Sequence, residues 1–340
     1  MKHSVPYYVP NNRITHWYLI GILFLGISAV LGIVLGSTPL SFAEIAVAFR
    51  NGFHASAGGR IFAYVRLPRT LASLVCGGAL AVSGAVIQNV LANRLASPSI
   101  IGVNAGAGLA VTLCAALGIL GGWQLSFCAF LGAFASVMIV SFGAKRWGAS
   151  RGTVILIGVA MNSLLNAVSN TITTLMPEVG LMSNDFKIGA FSGVTYPKLI
   201  PSAILVLTVI LILRTLHNEL DVLTLGEENA QGLGMNTSVM RTLFLMLAAL
   251  LAGCAVSLAG LLSFVGLLIP HAVRRVAGGK ASDLIVLCAL YGSGFVCLCD
   301  TIARTVFAPY EIPVGIIMAY LGAPFFVFIL VKGKGGHSHD

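Results

Sequence analysis

Residues 217–238 read HNELDVLTLGEENAQGLGMNTS, and the rest of the chain can be placed from this polar stretch. It holds four acids and three glycines, and it lies between two apolar runs, Ile200–Leu213 and Leu243–Leu262. A glycine inside a helix costs about 1 kcal/mol against alanine, so the stretch is predicted to form at most two short helices with a turn. Such a polar segment cannot lie in hydrocarbon, and we therefore expect it in water at a membrane face.

Composition predicts a polytopic, all-α membrane protein. Hydrophobic residues make up 57% of the 340 residues and charged residues 9%, against about 25% charged in an average soluble domain. A helix crosses a bilayer with roughly 20 apolar residues. The ten predicted spans are 15–36, 70–92, 99–120, 123–143, 153–175, 198–216, 239–260, 262–275, 283–304 and 312–331. The eighth of these spans is short and contains Pro270 as a candidate break. The first is read as a retained span because no cleavage site of small residues follows it.

The distribution of Lys and Arg predicts the orientation. An even number of spans places both termini on one side, and the side of the termini would hold thirteen Lys and Arg against seven on the other. The positive-inside rule then places the termini and residues 217–238 in the cytoplasm. Residues 37–65 and 176–197 become outer segments of a single transmembrane domain, 1–340. The first is predicted to begin with a short helix from Ser41 to about Arg50, and the second to form a short helix beside the fifth span.

The spans lack groups for ion coupling and for catalysis. None of the eleven acids falls in the middle of a predicted span, which disfavours an ion-coupled transporter with an intramembrane relay. The nearest approach to an ATP-binding loop, Ala277–Ala281, lacks the first glycine and the hydroxyl after lysine. The seven cysteines lie in apolar runs without a CxxC pair, so they predict neither a disulfide nor a metal site. We expect no enzyme activity and no bound cofactor, and the energy for any transport must come from elsewhere.

Neutral polar residues form one clear pattern, on the fifth span. Asn162, Asn166 and Asn170 recur every four residues, and Ser169 and Thr173 share their face. One interpretation is hydrogen bonding between helices, a common use of Asn, Ser and Thr in membranes. The other is the uncharged wall of a wide cavity, which three asparagines on one stripe favour.

Three arginines stand at the predicted outer side. Arg66 and Arg69 belong to an RLPR sequence, and Arg304 follows Asp300 by four residues. They either snorkel to the headgroups, with an Asp300–Arg304 pair on one helix, or present cations to an acidic partner.

Five further stretches, in this order, resemble the FecCD family, the permease subunits of iron-siderophore and cobalamin ABC importers. They are RLPRTLASLVCGGALAVSGAVIQ (66–88), NRLASPSIIGVNAGAG (93–108), LGEENAQGLG (225–234), GLLSFVGLLIPHAVRR (260–275) and LGAPFFVFIL (321–330). The resemblance implies a ten-span subunit that pairs with a second permease, identical or related, around a central path. It also implies two ATP-binding subunits, which use the ATP and Mg²⁺, and an extracytoplasmic substrate-binding protein.

The same resemblance assigns roles to individual residues. The coupling motif that meets the ATPase matches Leu225, Gly226, Glu227, Glu228, Ala230, Leu233 and Gly234. The positions that meet the binding protein match Arg66, Arg69 and Arg304. Two inner gates match Asn93 and Leu95, and Arg151 and Gly152, while the fifth span with its asparagines lines the path. The chain departs from the family where Arg94 replaces the proline of the first gate loop.

The sequence therefore predicts a multi-pass permease in the cytoplasmic (inner) membrane of a bacterium. The predicted cargo is a ferric siderophore, with cobalamin or haem as alternatives of the same class. An ion-coupled secondary transporter is the alternative from another class. Partners are the bilayer, the second permease, the ATPase and the binding protein, with no nucleic acid.

Overall fold

The computed structural model describes residues 11–38, 53–54, 56–119 and 122–334, and the regular structure within these ranges is helical. The predicted helix from Ser41 lies outside the described residues. In chain order the helices are α1 Asn11–Val34, α2 Ala57–Ile61, α3 Leu67–Val90, α4 Val103–Ala116, α5 Gly122–Arg146, α6 Arg151–Leu175, α7 Pro177–Ile188, α8 Tyr196–Thr215, α9 His217–Thr224, α10 Glu227–Gly232, α11 Thr237–Ala259, α12 Val265–Ala277, α13 Ala281–Thr305 and α14 Val314–Lys334. A π-helical turn, Phe62–Arg66, joins α2 to α3 without a break.

Each of the ten predicted spans overlaps one of these helices, and the all-helical membrane class is confirmed. Among the described residues, seven helices are long and apolar enough to cross a membrane. The apolar parts of two others are shorter, Val103–Ala116 and Val314–Val327, and α12 has 13 residues. Length and composition thus identify seven spanning helices among the described residues. The number of ten spans stays a prediction.

The helix α12 continues through Pro270, so the candidate break there is wrong. A proline has no N–H and leaves the carbonyl four residues earlier without its helical donor. Here that carbonyl belongs to Gly266, and it accepts a hydrogen bond from Gln88 Nε2 at 3.0 Å. The non-helical stretch lies just before α12, at residues 260–264.

The core of the bundle is formed by α3 and α11. Their most apolar windows are 83% and 72% buried, against 17% for α1 and α6, which lie at the perimeter. Glycines bring α3 close to two neighbours: a Cβ on Gly77 would lie 2.1 Å from the Gly292 carbonyl oxygen, and one on Gly84 would lie 1.9 Å from that of Gly266. Backbone contact at these points leaves no space for a side chain, so α3 is fixed against α12 and α13.

Two segments mark the opposite ends of the bundle. Residues 217–238, here called the coupling segment, lie at one end, where Asp221 accepts a hydrogen bond from the first amide of α13, that of Ala281, at 2.9 Å. The loop 306–313 after α13 lies at the opposite end.

The predicted short helix in 176–197 is confirmed as α7, which packs on α4 and α6. At this end of the bundle, opposite the coupling segment, backbone groups in and after α7 form hydrogen bonds with other segments. Leu261 donates to the Phe186 carbonyl at 3.0 Å, Ala190 to that of Ala259 at 2.8 Å, and Gly315 to that of Gly189 at 3.2 Å. These bonds satisfy polar backbone groups that a membrane interior would leave unpaired.

Candidate functional site

The coupling segment folds as two short helices, α9 and α10, joined by a tight turn. Gly226 at φ 103° and Gly234 at φ 81° adopt left-handed conformations that glycine reaches without strain. Leu220 and Leu223 are buried and attach α9 to the bundle. The two helices and the turn predicted from the glycines are thus confirmed.

The residues of the predicted coupling motif divide into an inner and an outer set. Ala230 is fully buried, whereas the side chains of Leu225 and Leu233 are 55% and 67% exposed and Glu228 is exposed between them. The segment therefore presents Leu225, Glu228 and Leu233 outward.

Glu227 has a different role, because two arginines converge on its carboxylate. Its Oε1 lies 2.9 Å from Arg241 Nη1 and 3.8 Å from Arg151 Nε. Arg151 Nη2 also donates to the Leu223 carbonyl at 2.9 Å. Because Arg151 is the first residue of α6 and Arg241 lies in the second turn of α11, this cluster joins the coupling segment to both helices. We call Arg151, Glu227 and Arg241 the coupling cluster.

The predicted gate loop at Asn93 is a compact turn. The Asn93 side-chain oxygen accepts from the Leu95 amide at 2.8 Å, and its carbonyl accepts from Ala96 at 3.1 Å. Leu95 is 48% exposed, and Arg94, also exposed, forms no hydrogen bond or ion pair with a described residue.

The second predicted gate, Arg151 and Gly152, begins α6. Ser150 caps this helix by accepting from the Thr153 amide at 3.3 Å, and Gly152 is exposed. The structure places Arg151 in the coupling cluster, so a residue assigned to a gate is in direct contact with the coupling segment.

The polar residues on one face of α6 fall into two groups, those that contact neighbouring segments and those that are exposed. Asn162 Nδ2 donates to the carbonyls of Ser99 and Ile100 at 2.9 and 2.8 Å, which ties α6 to the turn after the Asn93 loop. Ser169 is buried, with its hydroxyl 2.9 Å from that of Thr112 on α4.

Further along the stripe, Asn166 and Asn170 are exposed, and half-buried Thr173 donates to the Asn170 carbonyl at 3.1 Å. Asn162 and Ser169 therefore support helix packing. Asn166 and Asn170 are exposed on the perimeter of the subunit.

The three arginines of the predicted docking site are buried, with exposures of 3%, 6% and 2% for Arg66, Arg69 and Arg304. Arg69 binds Asp300 through Nη2 at 3.0 Å and Glu311 through Nη1 at 2.6 Å. Arg304 Nε lies 3.5 Å from Asp300, so the predicted pair on one helix is present.

The last carbonyls of α1 accept from two of these arginines. Arg66 Nη1 donates to the Val34 carbonyl at 2.5 Å, and Arg304 Nη2 donates to that of Gly32 at 2.6 Å. A helix end leaves four carbonyls without partners, and cations there are favourable.

The charges of the three arginines are thus engaged within the subunit, and their contact with a binding protein stays a prediction. Nearby, burial raises the pKa of Glu311, but the hydrogen bond and charge of Arg69 outweigh this and hold the pKa below its usual value.

Sequence reasoning missed two partly buried contacts at the coupling end. Arg241 was counted only as a positive charge, and its pairing with Glu227 spans 14 residues of chain. Arg274 donates to the Gln88 side-chain oxygen and, at 2.8 Å, to that of Asn89. The position of Arg274 within an apolar helix could have indicated a polar partner on another helix. That partner, Asn89, lies 185 residues away in the chain. Among the described residues, no group of three or more His, Cys, Asp or Glu is placed to hold a metal ion.

Comparison with known proteins decides the class of this membrane bundle. The family model of the FecCD transport family matches residues 23–332. The chain belongs to the FecCD transport family. It is therefore a membrane permease of the ABC importer class, and the family that the motifs of the sequence resemble is confirmed.

Two related permeases match most of the chain. An uncharacterized ABC transporter permease protein, YvrB of Bacillus subtilis, is 36% identical over 96% of this chain and 97% of its own. The vitamin B12 import system permease protein BtuC of Yersinia enterocolitica is 36% identical over 81% of this chain and 83% of its own.

Two solved structures share the fold seen here. A "metal-chelate type ABC transporter" in an inward-facing conformation superposes with a TM-score of 0.81 at 28% identity, over 94% of this chain and 99% of its own. The PsaBC complex of Streptococcus pneumoniae matches with a TM-score of 0.58 at 15% identity, over 83% of this chain and 94% of that chain, and shows the fold alone.

Proposed function

We propose that this permease forms the path of an ATP-driven importer and that ATP-binding subunits act on it through the coupling segment. The coupling cluster is the observation that carries this proposal. Arg151 binds both the Leu223 carbonyl and Glu227, so a displacement of α9 or α10 is transmitted directly to the first turn of α6. The helix α6 carries the exposed Asn166 and Asn170.

The transport cycle follows from these contacts. ATP binding closes a pair of ATPase subunits beneath the coupling segment, and the exposed Leu225, Glu228 and Leu233 receive the movement. The coupling cluster passes it to α6, and Asn162 passes it on to the turn at 99–100 that follows the Asn93 gate loop. A second permease, identical or related, faces the exposed asparagines and completes the path. An extracytoplasmic binding protein delivers the cargo at the opposite end.

The proposed cargo is a large metal chelate, and a ferric siderophore is the first candidate. The structural match to a metal-chelate type transporter supports the class. Cobalamin is the second candidate, because a permease of vitamin B12 import is 36% identical to this chain over 81% of its length. An uncharged wall of asparagine amides suits either cargo, since it hydrogen-bonds a polar surface without holding an ion.

Stimulation of ATP hydrolysis distinguishes the two cargoes. The permease is purified with its ATP-binding subunits in nanodiscs, and the binding protein is added empty, loaded with a ferric siderophore or loaded with cobalamin. We expect the siderophore-loaded protein to increase hydrolysis several-fold over the empty one. Stimulation by the cobalamin-loaded protein alone assigns the second cargo, and no stimulation by either contradicts the proposal.

A further inference from the structure

Beside the exposed Leu233, the coupling segment contains a cleft whose other lining residues take no part in the contacts described above. It lies between α9, the turn after α10 and the start of α11, and it has a volume of about 330 Å³. It is open on one side, at the end of the bundle where Leu225 and Leu233 are exposed. One carboxylate and several apolar side chains line it, namely Glu219, Val222, Leu233, Met235, Val239 and Met240.

Glu219 differs from the other acids that contact the bundle. Its Oε2 atom is shielded from solvent and has no hydrogen-bond partner among the described residues. Glu227 binds Arg241, and Asp221 accepts from the Ala281 amide. A buried acceptor without a partner costs about 1–3 kcal/mol, and more when it is charged. The carboxylate of Glu219 is therefore an acceptor that the subunit alone does not satisfy.

Apart from Glu219 and Asn236, whose side-chain oxygen accepts from the Val239 amide at 3.1 Å, the side chains that line the cleft are apolar. Val222, Met235 and Met240 are half-buried, while Leu233 and Val239 are 67% and 46% exposed. A lysine or arginine side chain combines an apolar stem with a cationic tip, and it covers apolar surface along its length. An acyl chain would cover the walls but leave Glu219 unpaired, and an anionic headgroup or an acidic side chain would be repelled by it.

We propose that this cleft receives a lysine or arginine side chain of the ATP-binding subunit. The stem of that side chain lies along Val222 and Met240, and its charge pairs with the Glu219 carboxylate once a rotation of that side chain turns Oε2 into the cleft. The inference rests on the proposed function, because it takes the ATP-binding subunit as the partner of the coupling segment. The permease then both inserts its exposed leucines into the partner and accepts a cationic side chain from it.

Binding of the ATP-binding subunit tests the inference. The full-length permease in nanodiscs is titrated with the ATP-binding subunit encoded with it, and the dissociation constant is measured for wild type, Glu219→Gln and Val239→Trp. Glu219→Gln keeps the size of the side chain and removes its charge, and Val239→Trp fills the mouth from an exposed position. We expect both to weaken binding at least about tenfold, which is about 1.4 kcal/mol.

Two controls separate the possible failures. Glu178→Gln makes the same change at an exposed position on α7 and should bind like wild type. A charge exchange adds a second test: Glu219→Lys should bind poorly, and replacing the contacting lysine or arginine of the partner by glutamate should restore it.

Wild-type affinity in both cleft variants, each with an unchanged unfolding temperature, would overturn the inference and leave the proposed function standing. Loss of binding already in the wild-type permease would overturn the proposed function itself.

Discussion

Arg69 of α3 and Asp300 of α13 form a buried ion pair at the end of the bundle opposite the coupling segment. Three hydrogen bonds of 3.0–3.2 Å join them, and Asp300 has no exposed surface. Arg304 lies on the other side of the same carboxylate. This geometry makes Arg69 a structural residue of the subunit.

Arg69→Met is therefore expected to destabilise the permease. The substitution removes three hydrogen bonds from buried Asp300 and leaves it only the 3.5 Å contact with Arg304. Loss of a partner from a buried pair costs up to about 3–5 kcal/mol. The unfolding temperature in detergent should fall clearly, whereas Arg60→Met, at an exposed position near the same end, should leave it unchanged. Equal unfolding temperatures for the two variants would contradict the structural role of Arg69 and favour the predicted contact with a binding protein.

Arg151→Gln is expected to uncouple ATP hydrolysis from transport. The substitution removes the contacts to Leu223 and Glu227 but keeps Arg241 on Glu227, so the coupling segment stays folded. Uptake per ATP hydrolysed in proteoliposomes should fall at least about fivefold, while assembly with the ATPase persists. Lys145→Gln removes an exposed cation at the end of α5 and serves as the control. A wild-type ratio in Arg151→Gln would exclude the coupling cluster as the connection to α6.

Glu228→Arg is expected to act at the partner rather than within the subunit. Glu228 is exposed on α10 and forms no ion pair with a described residue, so reversal should not change the unfolding temperature. It should reduce uptake while hydrolysis continues. Normal uptake in this variant would remove Glu228 from the contact surface with the ATPase.

Asn166→Leu and Asn170→Leu test the wall of the path. Both side chains are exposed, so the fold should tolerate leucine, but a polar cargo would lose its hydrogen-bonding surface. Uptake should fall without a loss of ATPase assembly, most strongly in the double variant. Ser163→Leu makes a comparable change at another exposed position of α6 and should transport normally. If all three variants transport alike, the asparagines face lipid.

Local pattern was sufficient to predict the helical elements. The apolar runs located a helix in each predicted span, and the glycines of residues 217–238 predicted two short helices with a turn. These features depend on residues close together in the chain. The continuity of α12 at Pro270 could not be predicted in this way. The donor to the free Gly266 carbonyl is Gln88, a residue of another helix.

The environment of the charged residues could not be predicted in the same way. The sequence shows Arg69 as a cation at a helix start, and only the fold brings it to Asp300 and Glu311, 231 and 242 residues away. The asparagine stripe was found from its spacing, but the spacing cannot show that Asn162 meets a turn of another segment while Asn166 does not. Residues that touch distant segments are placed by packing, which a periodic pattern does not encode.

Transport in a defined system tests the central claim most directly. The permease is reconstituted in proteoliposomes with its ATP-binding subunits and binding protein, and uptake of a radiolabelled ferric siderophore and of radiolabelled cobalamin is followed with and without ATP. Accumulation of one chelate that requires ATP and the ATP-binding subunits, and that fails with Arg151→Gln, is the predicted result. Accumulation by the permease alone, driven by an ion gradient without ATP, would contradict it.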